Sequence, residues 1–135
     1  MKTIALLGVV VLLSGCSTSP VSSESANPVP DERLHAFQDK GDGNARFVVT
    51  RDNGFFGSGC RTDTAIDGKH AAEIGPGETA GFYLKPGRHI VGINSRGVCM
   101  GGLKEAEFVA REGDETRYRI SIDSTGSMDI SPTAY

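Results

Sequence analysis

Three cysteines, three histidines and two closely spaced glutamates are the residues whose types and spacing could do chemistry. Cys16 closes the stretch Leu13-Ser14-Gly15-Cys16, where an apolar run gives way to serine and proline. Cys60 and Cys99 each border a glycine-rich segment, GSGC and RGVCMGG. His70 and His89 fall in separate expected strands and His35 precedes both. No two histidines stand at i and i+2 or i and i+4, the spacings that bring ligands onto one face, so no metal site is expected. Glu105 and Glu107 alternate on one expected strand and would share a face. Paired carboxylates could hydrolyse a glycosidic bond, but only across a cleft that a small sandwich seldom has. The chain has no GxSxG nucleophile elbow, and no catalytic residue is assigned.

The N-terminus has the parts of an export signal. Lys2 supplies a positive charge, and Ile4 to Leu13 supply the apolar core. That core falls within the roughly 7–15 residues of a signal peptide and short of the ~20 needed to span a bilayer. Placed after these parts, LSGC resembles the lipobox of bacterial lipoproteins. The resemblance implies cleavage between Gly15 and Cys16. It also implies a thioether-linked diacylglycerol and an amide-linked acyl chain on Cys16. Several chains, at about 0.8 kcal/mol per buried CH₂, would hold the protein stably at a membrane. Ser17 follows where an inner-membrane retention signal of enteric-type bacteria would have Asp, which favours the outer membrane over the inner and a periplasm-facing location.

In such an oxidising compartment the two remaining thiols, Cys60 and Cys99, are expected to form a disulfide. A metal pair or a redox couple is the alternative, and no CxxC favours either. Residues 1–15 are thus read as signal peptide and 16–44 as lipidated cysteine plus flexible tether. The Ser- and Pro-rich run STSPVSSESANPVP cannot bury enough surface to fold alone. A short helix is expected over 31–39, with Leu34 and Phe37 on its apolar face.

Composition narrows the rest. The chain has 135 residues, 18 glycines, no tryptophan and a formal net charge of −3. One domain fits this length, and a nucleic-acid partner, which would need a basic face, is not expected. From Ala45 onward short alternating segments are punctuated by glycine turns: ARFVVTR, TDTAID, KHAAEI, TAGFYL, RHIVGINS, LKEAEFVAR, TRYRISID and MDISP. DGK between the second and third is a hairpin signal. Residues 45–135 are therefore expected to be all-β, a small antiparallel sandwich of seven to eight strands. Over residues 45–131 the sequence resembles small bacterial lipoprotein domains with an immunoglobulin-like or transthyretin-like sandwich, and its DGK…PG-x-H turns resemble those of PEGA-type surface domains. The resemblance carries no catalytic residues.

Other segments support no cofactor. GFFGSG lacks the strand–loop–helix setting and the Lys-Ser/Thr of a phosphate loop. DKGDGN lacks the glutamate and glycine placement of a calcium loop and reads as a polar turn. No cysteine pattern fits an iron–sulfur cluster. Phe55 and Phe56 would either plug the end of the sandwich or, with Val98 and Met100, form an apolar patch for a periplasmic protein partner. Two functions follow. One is a non-catalytic, lipid-anchored envelope module acting in binding or structure, for instance in envelope stress or assembly. The other is a small periplasmic hydrolase using Glu105, Glu107 or a histidine.

Overall fold

Alternation of buried and more exposed side chains marks the strands Glu78–Leu84 and Glu115–Ile122, whereas the strand Ala45–Arg51 is buried at six of its seven positions. A computed structural model describes residues 18–54, 59–95, 99 and 101–135. Within them run β1 (Asn27–Pro28), β2 (Ala45–Arg51), β3 (Thr62–Ile66), β4 (Lys69–Ile74), β5 (Glu78–Leu84), β6 (Gly87–Ser95), β7 (Lys104–Ala110), β8 (Glu115–Ile122) and β9 (Met128–Pro132). They form two sheets, one ordered β1-β5-β2-β8-β9 and the other β4-β3-β6-β7. The eight expected strands are present, and β1 makes a ninth.

The all-β sandwich is thus as expected, with one difference in strand direction. β2 runs parallel to β8, and β1 parallel to β5, while the other neighbours are antiparallel. The reason is topological: the first long strand is inserted between β5 and β8 instead of pairing with its successor. An immunoglobulin sandwich keeps its first two strands in one sheet. Here β2 and β3 lie in opposite sheets.

The core lies between the sheets. Phe47, Val49, Phe82, Leu84 and Ile120 from the larger sheet face Ile66, Ile74, Val91 and Ile93 from the smaller, all fully buried or nearly so. Aromatic contacts bridge the layers. The Phe47 ring stacks on Phe108 with centroids 4.0 Å apart and meets Tyr118 edge-on at 5.5 Å. β3 and β4 are joined by Asp67-Gly68, both with positive φ (51° and 78°). That is the primed two-residue turn whose twist suits a hairpin, and the reason glycine follows aspartate there.

Residues 18–44, read from sequence as a tether, are laid on the sandwich. Asn27 and Pro28 extend the larger sheet at its edge, where a proline's missing N–H is tolerated. Val29 is buried, and Leu34 forms an antiparallel bridge with Ala72. The expected helix over 31–39 is a single 3₁₀ turn, Asp31–Arg33. Leu34 leaves it in an extended conformation, because its side chain and that of Phe37 pack against the core instead of along one helix face. The Phe37 carbonyl accepts the Tyr83 N–H at 2.8 Å. DKGDGN is a polar turn, with Asp39 and Asp42 forming a capping box around the 3₁₀ turn Lys40–Asp42.

Candidate functional site at the disulfide-bearing end

β2, β4, β6 and β8 finish at the same end of the sandwich at which β3, β5, β7 and β9 begin. Strand alternation along ARFVVTR puts Arg51 on the inward face there, and it is 2% exposed. Its Nη1 donates to the carbonyls of Cys60 at 2.6 Å and Ile74 at 3.2 Å. Burial pushes its pKa down, opposed by the Glu78 carboxylate. It remains a cation, because guanidinium does not deprotonate in proteins.

By binding the Cys60 carbonyl, Arg51 fixes the loop that returns into β3. Cys60 is bonded to Cys99, just after β6, with Cα atoms 6.1 Å apart and a sequence separation of 39. The expected disulfide is therefore present and staples two loops of this end. Phe55, Phe56, Val98 and Met100, expected to form an apolar patch on those loops, lie outside the described residues, as does Cys16.

Beside Arg51, the Asp52 carboxylate is 1% exposed. It accepts from Arg119 through Nε at 3.1 Å and through Nη2, and from the Thr18 hydroxyl at 3.2 Å. A buried carboxylate is tolerable when a bidentate arginine and a hydroxyl satisfy its lone pairs. The hydrogen bond to Asp52 also raises the Arg119 pKa. Thr18 is held further by Ile122. Its N–H donates to the Ile122 carbonyl at 3.1 Å, and its Oγ1 accepts the Ile122 N–H at 3.0 Å. Ser19 and Asn53 exchange both backbone bonds, at 2.6 and 2.9 Å.

Glu107 and the three histidines are engaged in structural pairs. Glu105 and Glu107 do share the exposed face of β7, an edge strand, and Glu107 pairs with Arg88 at 3.0 Å. That face is exposed to solvent at both glutamates. His35 and His70, distant in sequence, stack with ring centroids 4.6 Å apart. Glu73 meets His35 at 3.0 Å and Asp63 meets His70 at 3.4 Å. The docking of the N-terminal segment against β4 makes this cluster, and no spacing in the sequence signals it. Among the described residues no group of three or more histidine, cysteine or acidic side chains is arranged to hold a metal ion.

A groove of about 340 Å³ on the outer face of the larger sheet is lined in part by Glu24, Arg46, Gly81, Glu115 and Arg117. Its charges are balanced internally. Arg117 bonds Glu115 at 2.7 Å and approaches Glu24 at 4.0 Å, and the Arg46 guanidinium lies over the Tyr83 ring at 4.7 Å.

His89 gives a pH prediction. Its Nδ1 contacts Asp67 at 2.6 Å and its Nε2 the Lys85 carbonyl at 2.7 Å, so both ring nitrogens face acceptors and the imidazolium is favoured. Burial alone would lower the His89 pKa. The hydrogen bonds to Asp67 and Lys85 outweigh it and hold the group above its ordinary range. Burial likewise opposes the Asp67 charge, yet the His89 hydrogen bond leaves its pKa lowered. A raised histidine contributes stability that is complete below its unfolded pKa of about 6.5 and disappears as pH rises through the folded value. The Asp67 contribution disappears at the acid end, as pH falls through its lowered pKa. Unfolding free energy is expected to decline from about pH 6 to 8 by up to ~1 kcal/mol, small because Asp67 is half exposed. His89→Gln should flatten that decline in urea titrations. An unchanged slope would show that another group carries it.

No protein-family model matches the chain, and no curated protein sequence matches it. Among the described residues no helix is long and apolar enough to cross a membrane.

Proposed function

We propose that this chain is a bacterial lipoprotein that acts as a non-catalytic module of the cell envelope. The precursor is cut before Cys16, which carries the lipid, and the sandwich faces the periplasm from the outer membrane. The observation that carries the reading is Leu13-Ser14-Gly15-Cys16 behind Lys2 and a short apolar run. The disulfide supports it, since such bonds persist in oxidising compartments. The binding or structural role is supported by the engagement of the polar groups. Glu78 accepts a bidentate bond from Arg33 and caps the Gly75 N–H, Asp52 serves Arg119 and Thr18, and His89 serves Asp67. The contact surface in this reading is the disulfide-bearing end, where loops on a rigid scaffold gather.

Cys16→Ala tests the anchor. The variant should lose labelling by a fatty-acid probe, remain uncut at residue 15 and leave its processed membrane-bound form unpopulated. A Cys16→Ala protein that still matures and stays with the membrane overturns the reading.

A further inference from the structure

Thr18 lies two residues after Cys16. Two extended residues span at most about 7 Å. Thr18 is not loose: it is bonded to Ile122 through backbone and side chain and to the buried Asp52 carboxylate, and Ser19 is paired with Asn53. The chain is still at this end at Asn27, which pairs with Glu78 at the start of β5, and only then runs along the sandwich through Leu34 to Phe37, whose carbonyl meets Tyr83 near the far end of β5. A lipid on Cys16 therefore has almost no leash.

We propose that the disulfide-bearing end of the sandwich docks directly on the bilayer into which the Cys16 acyl chains insert, with phospholipid headgroups as its partner. The proposal rests on the lipoprotein reading and replaces a soluble protein with a membrane surface as the occupant of that end. Its geometry fixes an orientation. Asn53, Gly54, Cys60, Cys99, Gly101 and the turn 123–127 face the headgroups. The Asp67-Gly68 hairpin and the turn at Gly113 point away, about 23 Å further off along a seven-residue strand.

The chemistry at the proximal end suits that partner. Leu103 is 61% exposed, beside the exposed Lys104, and Arg61 is exposed at the start of β3. An exposed apolar side chain at an end that also carries exposed cations matches an interface of acyl chains below and phosphates above. Of the exposed carboxylates at this end, Glu105 adjoins Lys104 and Asp129 acts on Arg119, while Asp123 is folded onto its own turn, accepting from the Thr125 N–H and hydroxyl and the Ser127 N–H. Those hydrogen bonds lower its pKa and satisfy its lone pairs, so it stays an anion turned onto its own loop.

The test uses the full acylated protein, isotope-labelled, in nanodiscs of phosphatidylethanolamine and phosphatidylglycerol doped with a gadolinium-chelating lipid. Intact mass first establishes whether Cys16 is acylated. The amide signals of Gly54, Gly101 and Gly126 should then be broadened severalfold more than those of Gly68 and Gly113. Equal broadening at both ends of an acylated protein overturns the docking and leaves the lipoprotein reading standing. A Cys16 without acyl chains removes the lipoprotein reading and the docking with it.

Discussion

Phe47→Ala is expected to destabilise the folded domain by about 3–5 kcal/mol, the range for emptying a fully buried phenylalanine site. Phe47 is 0% exposed and holds the centre of the sandwich. Its ring joins the sheets, stacked on Phe108 from β7 and bordered by Tyr118 and Phe82 from its own sheet. Removing it costs the transfer energy of the ring and leaves a cavity that strands on both sides, fixed by their ladders, cannot close. At roughly 4 °C per kcal/mol for a domain of this size, the melting temperature should drop by about 12–20 °C. Phe47→Leu keeps much of the volume and should lose far less. Urea unfolding of both variants checks this. A cost below about 1 kcal/mol for Phe47→Ala would mean the two layers are not held by this contact.

The second large effect concerns the Cys60–Cys99 bond. It closes 39 residues, a loop that includes β3 to β6. On the chain-entropy model a crosslink of that span stabilises by about 4 kcal/mol through the unfolded state. The Cys60→Ala, Cys99→Ala double variant should therefore unfold at a much lower urea concentration. Its m-value should rise, because the unfolded chain expands further without the crosslink. Arg51 would still hold the Cys60 carbonyl, so the loop should keep its place in the folded state. An unchanged midpoint would contradict the prediction, as would free alkylation of both thiols in the exported, undenatured protein.

Much of this fold is written in local pattern. TRYRISID alternates so regularly that Tyr118, Ile120 and Ile122 had to face inward, and all three are buried. Asp67-Gly68 marks its own hairpin. The disulfide could be expected from two thiols in one domain behind an expected export signal. What could not be read depends on contacts between distant segments. β1 is two residues long and is held by backbone bonds to β5, which no side-chain pattern records. Residues 18–44 therefore look like a solvated spacer although Val29, Leu34 and Phe37 seal the core's edge. The parallel pairing of β2 with β8 leaves no mark in either strand. The His35–His70 stack arises only when the N-terminal segment docks. Arg51 was partly legible, since alternation puts it inward. Its charge argued against burial until the carbonyls of Cys60 and Ile74 supplied partners.

The most direct test of the central claim is the intact mass of the mature protein extracted from the envelope. The predicted species begins at Cys16, carries a diacylglyceryl group and an amide-linked acyl chain there, and lacks two hydrogens relative to the dithiol because Cys60 and Cys99 are bonded. A species that retains Met1, or begins elsewhere without lipid, would contradict the claim that this sandwich is held to a membrane through Cys16.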